Sequence, residues 1–266
     1  MPITASFVSP TLFTLFGVKF NSFGTSMAAT FATLFFILDA ELKRTHLTAD
    51  AESIASCAII GGLVGSKLHF LFGWDFSLFT RSHWPTISEL QSGMSWQGGA
   101  ILATLVVYGY LKYHRQPFFP YADHCFPLLP LGYALGKIGC FLSGDGCYGP
   151  PTSLPWGMRF PNGLIPTRTP VHPTPLYEAA LNLLCWFWLW KRRKARRVLG
   201  DQGSMGLILS GLTRLLAEPF RYHGHTGSSW GVLVRSQFAG IAFCMVLMGV
   251  VMRWWFLWSG LKRKVA

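Results

Sequence analysis

Tyr121-Ala122-Asp123-His124-Cys125-Phe126-Pro127-Leu128-Leu129-Pro130-Leu131-Gly132-Tyr133-Ala134-Leu135-Gly136-Lys137-Ile138-Gly139-Cys140-Phe141 is the stretch whose reading decides the fold. A helix needs about 20 mostly apolar residues to cross the hydrocarbon core of a bilayer, and this run has that length with only Asp123 and Lys137 as fixed charges. Six further runs of the same character lie at 24 to 39, 52 to 73, 96 to 112, 174 to 190, 203 to 220 and 234 to 257. The expected fold is therefore an all-α polytopic membrane protein of about seven transmembrane helices. Composition agrees: 51% of the 266 residues are hydrophobic and 13% charged, where soluble domains carry about 25% charge. That excludes an ordinary soluble protein, and the apolar content excludes a disordered one.

The formal charge of +12 would elsewhere suggest nucleic acid, but its placement argues otherwise. Basic clusters follow alternate spans: Lys43-Arg44, Lys112 with Arg115, the run Lys191 to Arg197, and Lys262-Arg263-Lys264. By the positive-inside rule they mark the cytoplasmic side, so the amino terminus is expected outside and the carboxyl terminus inside. The 191 to 197 run reads as an anchor beside anionic lipid, and no nucleic-acid partner is expected. The start lacks the basic n-region of a signal peptide, so no cleavage is expected. Residues 1 to 20, apolar but broken by Pro2 and Pro10, are expected at the outer interface. Two outer loops follow, 74 to 95 and 142 to 173. The second holds seven prolines between Pro150 and Pro173, which forbid a long helix and predict a small head of turns and short extended pieces. The chain is read as one membrane domain, residues 1 to 266, with 142 to 173 as a periplasmic head inserted between the fourth and fifth spans.

Charges deep in a bilayer are rare and line enclosed cavities. Here they are Lys67, Lys137, Arg214, Glu178 and Glu218, with His69 and Gln97 as polar companions. Three cations against two anions suit an anionic ligand such as a phospholipid head group; the plainer reading has Lys67 snorkelling and the rest pairing among themselves. Arg214, Glu218 and Arg221 fall at i, i+4 and i+7, one stripe of a helix, which Pro219 ends or kinks. Tyr133, Lys137 and Cys140 repeat that spacing. Lys67 and His69 cannot share a face, being about 200° apart. Gly132, Gly136 and Gly139, like Gly61 and Gly65, are spaced for close helix packing.

Reading on from Gly136 gives Gly-Lys-Ile-Gly-Cys-Phe-Leu-Ser-Gly-Asp-Gly-Cys-Tyr-Gly, then Leu154-Pro155-Trp156-Gly157-Met158-Arg159-Phe160-Pro161, then His172-Pro173-Thr174-Pro175-Leu176-Tyr177-Glu178-Ala179. Together with Ser92-Gly93-Met94-Ser95-Trp96-Gln97-Gly98-Gly99, Arg214-Leu215-Leu216-Ala217-Glu218-Pro219-Phe220-Arg221 and the opening Asn21-Ser22-Phe23-Gly24, this order resembles the prolipoprotein diacylglyceryl transferase family of bacterial inner membranes. The resemblance implies a seven-helix enzyme that moves the diacylglyceryl group of phosphatidylglycerol to the thiol of a lipobox cysteine in a prolipoprotein signal peptide, releasing glycerol phosphate. It places Arg214 and Lys137 on the phosphate, with Glu218, Arg221, Gln97 and Tyr177 as further substrate-binding residues. His172 and Glu178 become the proton acceptor or positioning pair. No cofactor or metal is implied, and a monomer is expected.

The sequence also departs from the family's pattern. Gln97 stands where His is common and cannot act as a base; Phe23 replaces a Tyr, Lys137 an Arg and Cys140 an Asn, and Asp145-Gly146-Cys147-Tyr148-Gly149 replaces a Glu-Leu-Trp-Gly-like stretch. Cys57, Cys125, Cys185 and Cys244 lie in apolar runs as small hydrophobes. For Cys140 and Cys147 three readings stay open: a disulfide, a reactive Cys140 thiol beside Lys137, or packing; their spacing is not that of a paired zinc ligand set. A catalytic Cys140 would give a transferase with a different acceptor. A lipid-binding protein without chemistry is the third alternative, against which the retained Arg214, Glu218, His172 and Glu178 argue. His223 and His225 read as a polar outer loop.

Overall fold

The computed structural model describes residues 3–72, 95–195, 199–221 and 229–258, without the side chains of residues 18, 72, 96, 97 and 229–238. The loop expected at 74 to 95, except Ser95, and Arg197, His223, His225 and the terminal basic cluster therefore lie outside the described residues, as does the side chain of Gln97. The chain is mostly helical and groups into two compact units, Met1–Phe36 with Ala122–Ala266, and Ile37–Tyr121.

Helices occupy each of the expected runs: α1 (Ser22–Arg44), α2 (Ala51–Phe72), α3 (Trp96–Tyr113), α4 (Phe118–Cys125), α5 (Leu128–Ser143), α6 (Thr174–Arg192), α7 (Asp201–Ala217) and α8 (Ser229–Trp258). Four stretches are long and apolar enough to cross a membrane: Ser22–Arg44, Ala51–Leu71, Phe118–Ser143 and Ala239–Trp258. The apolar side chains that face outward, among them Phe36, Leu105, Leu184, Phe243 and Trp254, fit a multi-pass membrane protein, whose solvent on that side is lipid.

The run that opened the sequence reading is two helices rather than one. Pro127 has no amide hydrogen to give Asp123, and its ring disfavours a helical Phe126, so the chain turns between α4 and α5. The break is used. The Asp123 carboxylate accepts the amides of Gly200 at 2.8 Å and Gly203 at 2.7 Å, which satisfies donors at the amino terminus of α7 that no helical carbonyl reaches.

The expected glycine stripes pack as close helix contacts. Gly132, Gly136 and Gly139 of α5 lie against Leu34, Met27 and Ser26 of α1, and in the second unit Gly61 and Gly65 of α2 lie against Ala103, Leu102 and Gly98 of α3. Small residues let the backbones approach where lipid would otherwise intrude.

Two small sheets correct the all-helical expectation. β2 (Thr11–Leu15) and β3 (Val18–Asn21) form an antiparallel hairpin closed by Phe16 and Gly17, both at positive φ, 50° and 80°, the geometry that matches strand twist in a two-residue turn. Phe13 stacks on Phe20 at 4.7 Å, and Leu12, Leu15 and Phe16 remain exposed. The second sheet joins distant pieces of chain. β1 (Ile3–Thr4) runs parallel to β4 (Met158–Phe160), which pairs antiparallel with β5 (Thr167–Val171). Beneath it Ala5, Val8, Phe141, Tyr148, Phe160 and Val171 form a buried core, with Tyr148 stacked on Phe160 at 4.1 Å. The 142 to 173 segment is thus ordered as short extended pieces, and the amino terminus belongs to it, which local patterning cannot reveal because a parallel pairing needs no nearby turn.

Candidate active site

Glu178, on the first turns of α6, is 1% exposed and sits among cations from three other parts of the chain. Lys137 Nζ of α5 lies 2.7 Å from its Oε2. Arg221 Nη1, just past α7, reaches Oε1 at 2.8 Å and Oε2 at 3.2 Å. Arg214 Nη1 of α7 is 3.8 Å from Oε1 and 2.5 Å from Oε2 of Glu218. Tyr133 donates its hydroxyl to Glu178 Oε1 at 3.2 Å, and its ring lies 5.4 Å from the Lys137 ammonium. Among the described residues, three positive groups therefore share two buried carboxylates, a formal excess of one positive charge. A carboxylate this buried is tolerable only because it is paired several times over.

Local sequence explains each placement. Tyr133 and Lys137 are one turn apart on α5 and present one face to α6. Glu218 and Pro219 open a one-turn 3-10 segment, Glu218–Phe220, because proline cannot continue the α7 ladder. This corrects the expected stripe: Arg214 and Glu218 meet across one turn, but Arg221 has left the helix, with φ −97° and ψ 140°, and turns to Glu178 instead. Gly149 makes the turn possible, since a side chain there would run into the Phe220 carbonyl and His172.

His172 is not paired with Glu178, contrary to the expectation. Its Nδ1 lies 3.3 Å from the Tyr177 hydroxyl, which accepts the indole N–H of Trp156 at 2.8 Å. A phenol has one hydrogen to donate, and among its described partners only His172 Nδ1 can take it. With Nδ1 unprotonated, His172 accepts that hydrogen and carries its own ring proton on Nε2. His172, Tyr177 and Phe220 also meet ring to ring at 5.9 to 6.0 Å. The result is a chain of contacts from the exposed indole of Trp156 through the phenol to the half-buried imidazole, joined in sequence to the cation cluster at Tyr177–Glu178 and Phe220–Arg221.

Lys67, counted among the cations in the sequence, belongs to the Ile37–Tyr121 unit, where its ammonium lies 5.5 Å from the Phe70 ring. Arg221 takes its place in the charge count. Phe23 packs on Gly139. Cys140 stands one turn beyond Lys137, close to Cys147 and Asp145. Tyr133 and Trp156 are contributors that sequence reading gave no role. Tyr133 was signalled by its i, i−4 spacing to Lys137; Trp156 had no such signal, since its loop is placed by the β1–β4–β5 sheet.

A sequence model described as Prolipoprotein diacylglyceryl transferase matches residues 10–255. Three proteins named phosphatidylglycerol–prolipoprotein diacylglyceryl transferase illustrate the likeness. That of Clostridium tetani is 31% identical over 246 residues, 91% of this chain and 96% of the relative. That of Leptospira interrogans is 31% identical over 248 residues, 82% and 78% of the two chains. That of Pseudomonas putida is 27% identical over 258 residues, 93% and 94%.

Proposed function

Because the chain belongs to the prolipoprotein diacylglyceryl transferase family, we propose that it transfers the diacylglyceryl group of phosphatidylglycerol to the thiol of a lipobox cysteine in a prolipoprotein signal peptide. The observation that carries this reading is the cluster of Lys137, Arg214 and Arg221 around buried Glu178. When the acceptor sulfur attacks the glyceryl carbon, a C–S bond forms and the C–O bond to phosphate breaks. The phosphate goes from a diester with one negative charge to glycerol phosphate with two. A site with one surplus positive charge binds the first anion, and stabilises the second charge as it develops.

Arg214 offers its planar fork to the phosphate, Glu218 holds that fork in place, and Lys137 and Arg221 supply charge from the far side. The thiol proton passes to the Tyr177 oxygen as the Tyr177 hydrogen moves to His172 Nδ1, and the Trp156 N–H steadies the oxygen in transit. His172 is the final proton acceptor, its Nδ1 lying 3.3 Å from the Tyr177 hydroxyl. Tyr177→Phe, which cuts this path and leaves the cations untouched, lowers the transfer rate by about 10²- to 10⁴-fold with little change in the phosphatidylglycerol concentration needed for half-maximal rate. Steady-state kinetics in detergent checks both numbers, and an unchanged rate removes the relay.

The same reading places seven spans in the bacterial inner membrane, as one membrane domain in a monomeric chain. The amino terminus and the 142 to 173 head then face the periplasm and the carboxyl terminus the cytoplasm. Purified protein, given phosphatidylglycerol and a fluorescent lipobox peptide, is expected to release glycerol phosphate and lipidate the peptide in equal amounts. Release without lipidation overturns the acceptor assignment, and the absence of both overturns the transferase reading. Cys140 is not needed in this scheme.

A further inference from the structure

The turn that follows α5 brings a second reactive cluster together. Gly144 adopts the left-handed conformation, φ 62° and ψ 45°, and its amide reaches the Phe141 carbonyl at 3.2 Å while the Asp145 amide reaches that of Cys140 at 3.4 Å. This pairing closes a helix with a sharp reversal. Gly146, at φ 87°, bends the chain again, so that Cys147 returns over the last turn of α5. There the Sγ atoms of Cys140 and Cys147 and a carboxylate oxygen of Asp145 lie within 4.8 Å of one another. Both thiols are half-buried, and neither enters the transfer scheme above.

We propose that Cys140 and Cys147 are a dithiol–disulfide redox pair, oxidised by a disulfide-bearing reagent or oxidoreductase and closing the turn after α5 as a covalent loop. The chemistry balances as exchange. The Cys147 thiolate attacks one sulfur of the oxidant's disulfide, forming a mixed disulfide and releasing one thiolate. The Cys140 thiolate then attacks the Cys147 sulfur, forming the internal bond and releasing the second. Two protein thiols are oxidised, one external disulfide is reduced to two thiols, and the two protons pass to those thiols.

Three features fit a thiol pair better than a bound cation. The two thiols are within hydrogen-bonding reach of each other, and that contact, aided by the Lys137 ammonium, holds the Cys147 thiol below its ordinary pKa against the cost of burial. A thiolate is the attacking species. The same ammonium repels an incoming metal ion. Asp145, the remaining oxygen donor, already accepts the Cys147 amide at 3.0 Å. A closed pair also fixes the turn of α5 that carries Lys137, one turn before Cys140.

The test is alkylation mapping on the full-length protein, purified in detergent without reductant, then exposed to excess oxidised glutathione. In denaturant, Cys140 and Cys147 are expected to escape a maleimide and to appear as one linked peptide, lighter by two hydrogens. Cys57, Cys125, Cys185 and Cys244 label throughout. After reduction both protected thiols label fully, and in Cys147→Ser, Cys140 labels without reduction or carries a glutathione adduct. Full labelling of both cysteines after the oxidant overturns the proposal. So does an equimolar metal ion that protects them until a chelator is added. The readout is mass, so it stands apart from any failure of the transferase assay.

Discussion

Arg214→Lys lowers diacylglyceryl transfer by about 10²- to 10³-fold, the loss typical of removing one well-placed donor from a developing oxyanion. Lysine keeps the charge and discards the fork. In the structure Arg214 has one nitrogen engaged by Glu218 at 2.5 Å and lies 3.8 Å from Glu178, an arrangement a single ammonium cannot reproduce, because it cannot brace against Glu218 and present two parallel N–H groups at once. Because the phosphate gains its second charge only as the C–O bond breaks, the loss falls mainly on the maximal rate rather than on donor binding. Rates measured across a range of phosphatidylglycerol concentrations separate the two. Turnover near that of the unaltered protein contradicts the fork's role.

Glu178→Gln destabilises the fold by about 3 to 5 kcal/mol, the range for stripping one partner from a buried ion pair. Glutamine keeps the size of the side chain and one acceptor for the Tyr133 hydroxyl. It leaves Lys137 and Arg221, whose closest carboxylate atoms lie at 2.7 and 2.8 Å, without a countercharge. The sign of a second effect follows from the same charge count: the site then carries a formal excess of two, so an anion that fills it recovers more stability than in the unaltered protein. Thermal unfolding in detergent, with and without glycerol phosphate, measures both. A variant as stable as its parent, with no greater response to the anion, contradicts the placement of Glu178 at the centre of the cluster.

Much of this site was legible in the chain. Apolar runs announced the helices because a backbone in lipid must satisfy itself internally, and of the rare charges singled out within those runs Lys137, Glu178, Arg214 and Glu218 meet, while Lys67 lies on Phe70 in the Ile37–Tyr121 unit. What sequence could not show is where helices stop. The run at 121 to 141 does lie in one stretch apolar enough to span, Phe118–Ser143, but its turn at Pro127 has no periodic signal; and although Pro219 marks where α7 ends or kinks, its sequence does not say that Arg221 then turns to Glu178. The pairing of His172 with Tyr177, rather than with Glu178, depends on an indole delivered by a loop that the β1–β4–β5 sheet fixes in place. Such long-range contacts leave no periodicity to read. The close approach of Cys140 and Cys147 likewise follows from two glycines at positive φ, whose combined reversal is a property of backbone angles.

The central claim is that Lys137, Arg214 and Arg221 together hold the phosphate of the donor lipid. Its most direct test is native mass spectrometry of the purified protein released from detergent micelles containing phosphatidylglycerol and phosphatidylcholine in equal amounts. One phosphatidylglycerol per chain, retained by the unaltered protein in preference to phosphatidylcholine and lost when Arg214→Ala and Arg221→Ala are combined, is the predicted result. Equal retention of phosphatidylglycerol by the combined variant, or no preference for the anionic lipid in the unaltered protein, would contradict it.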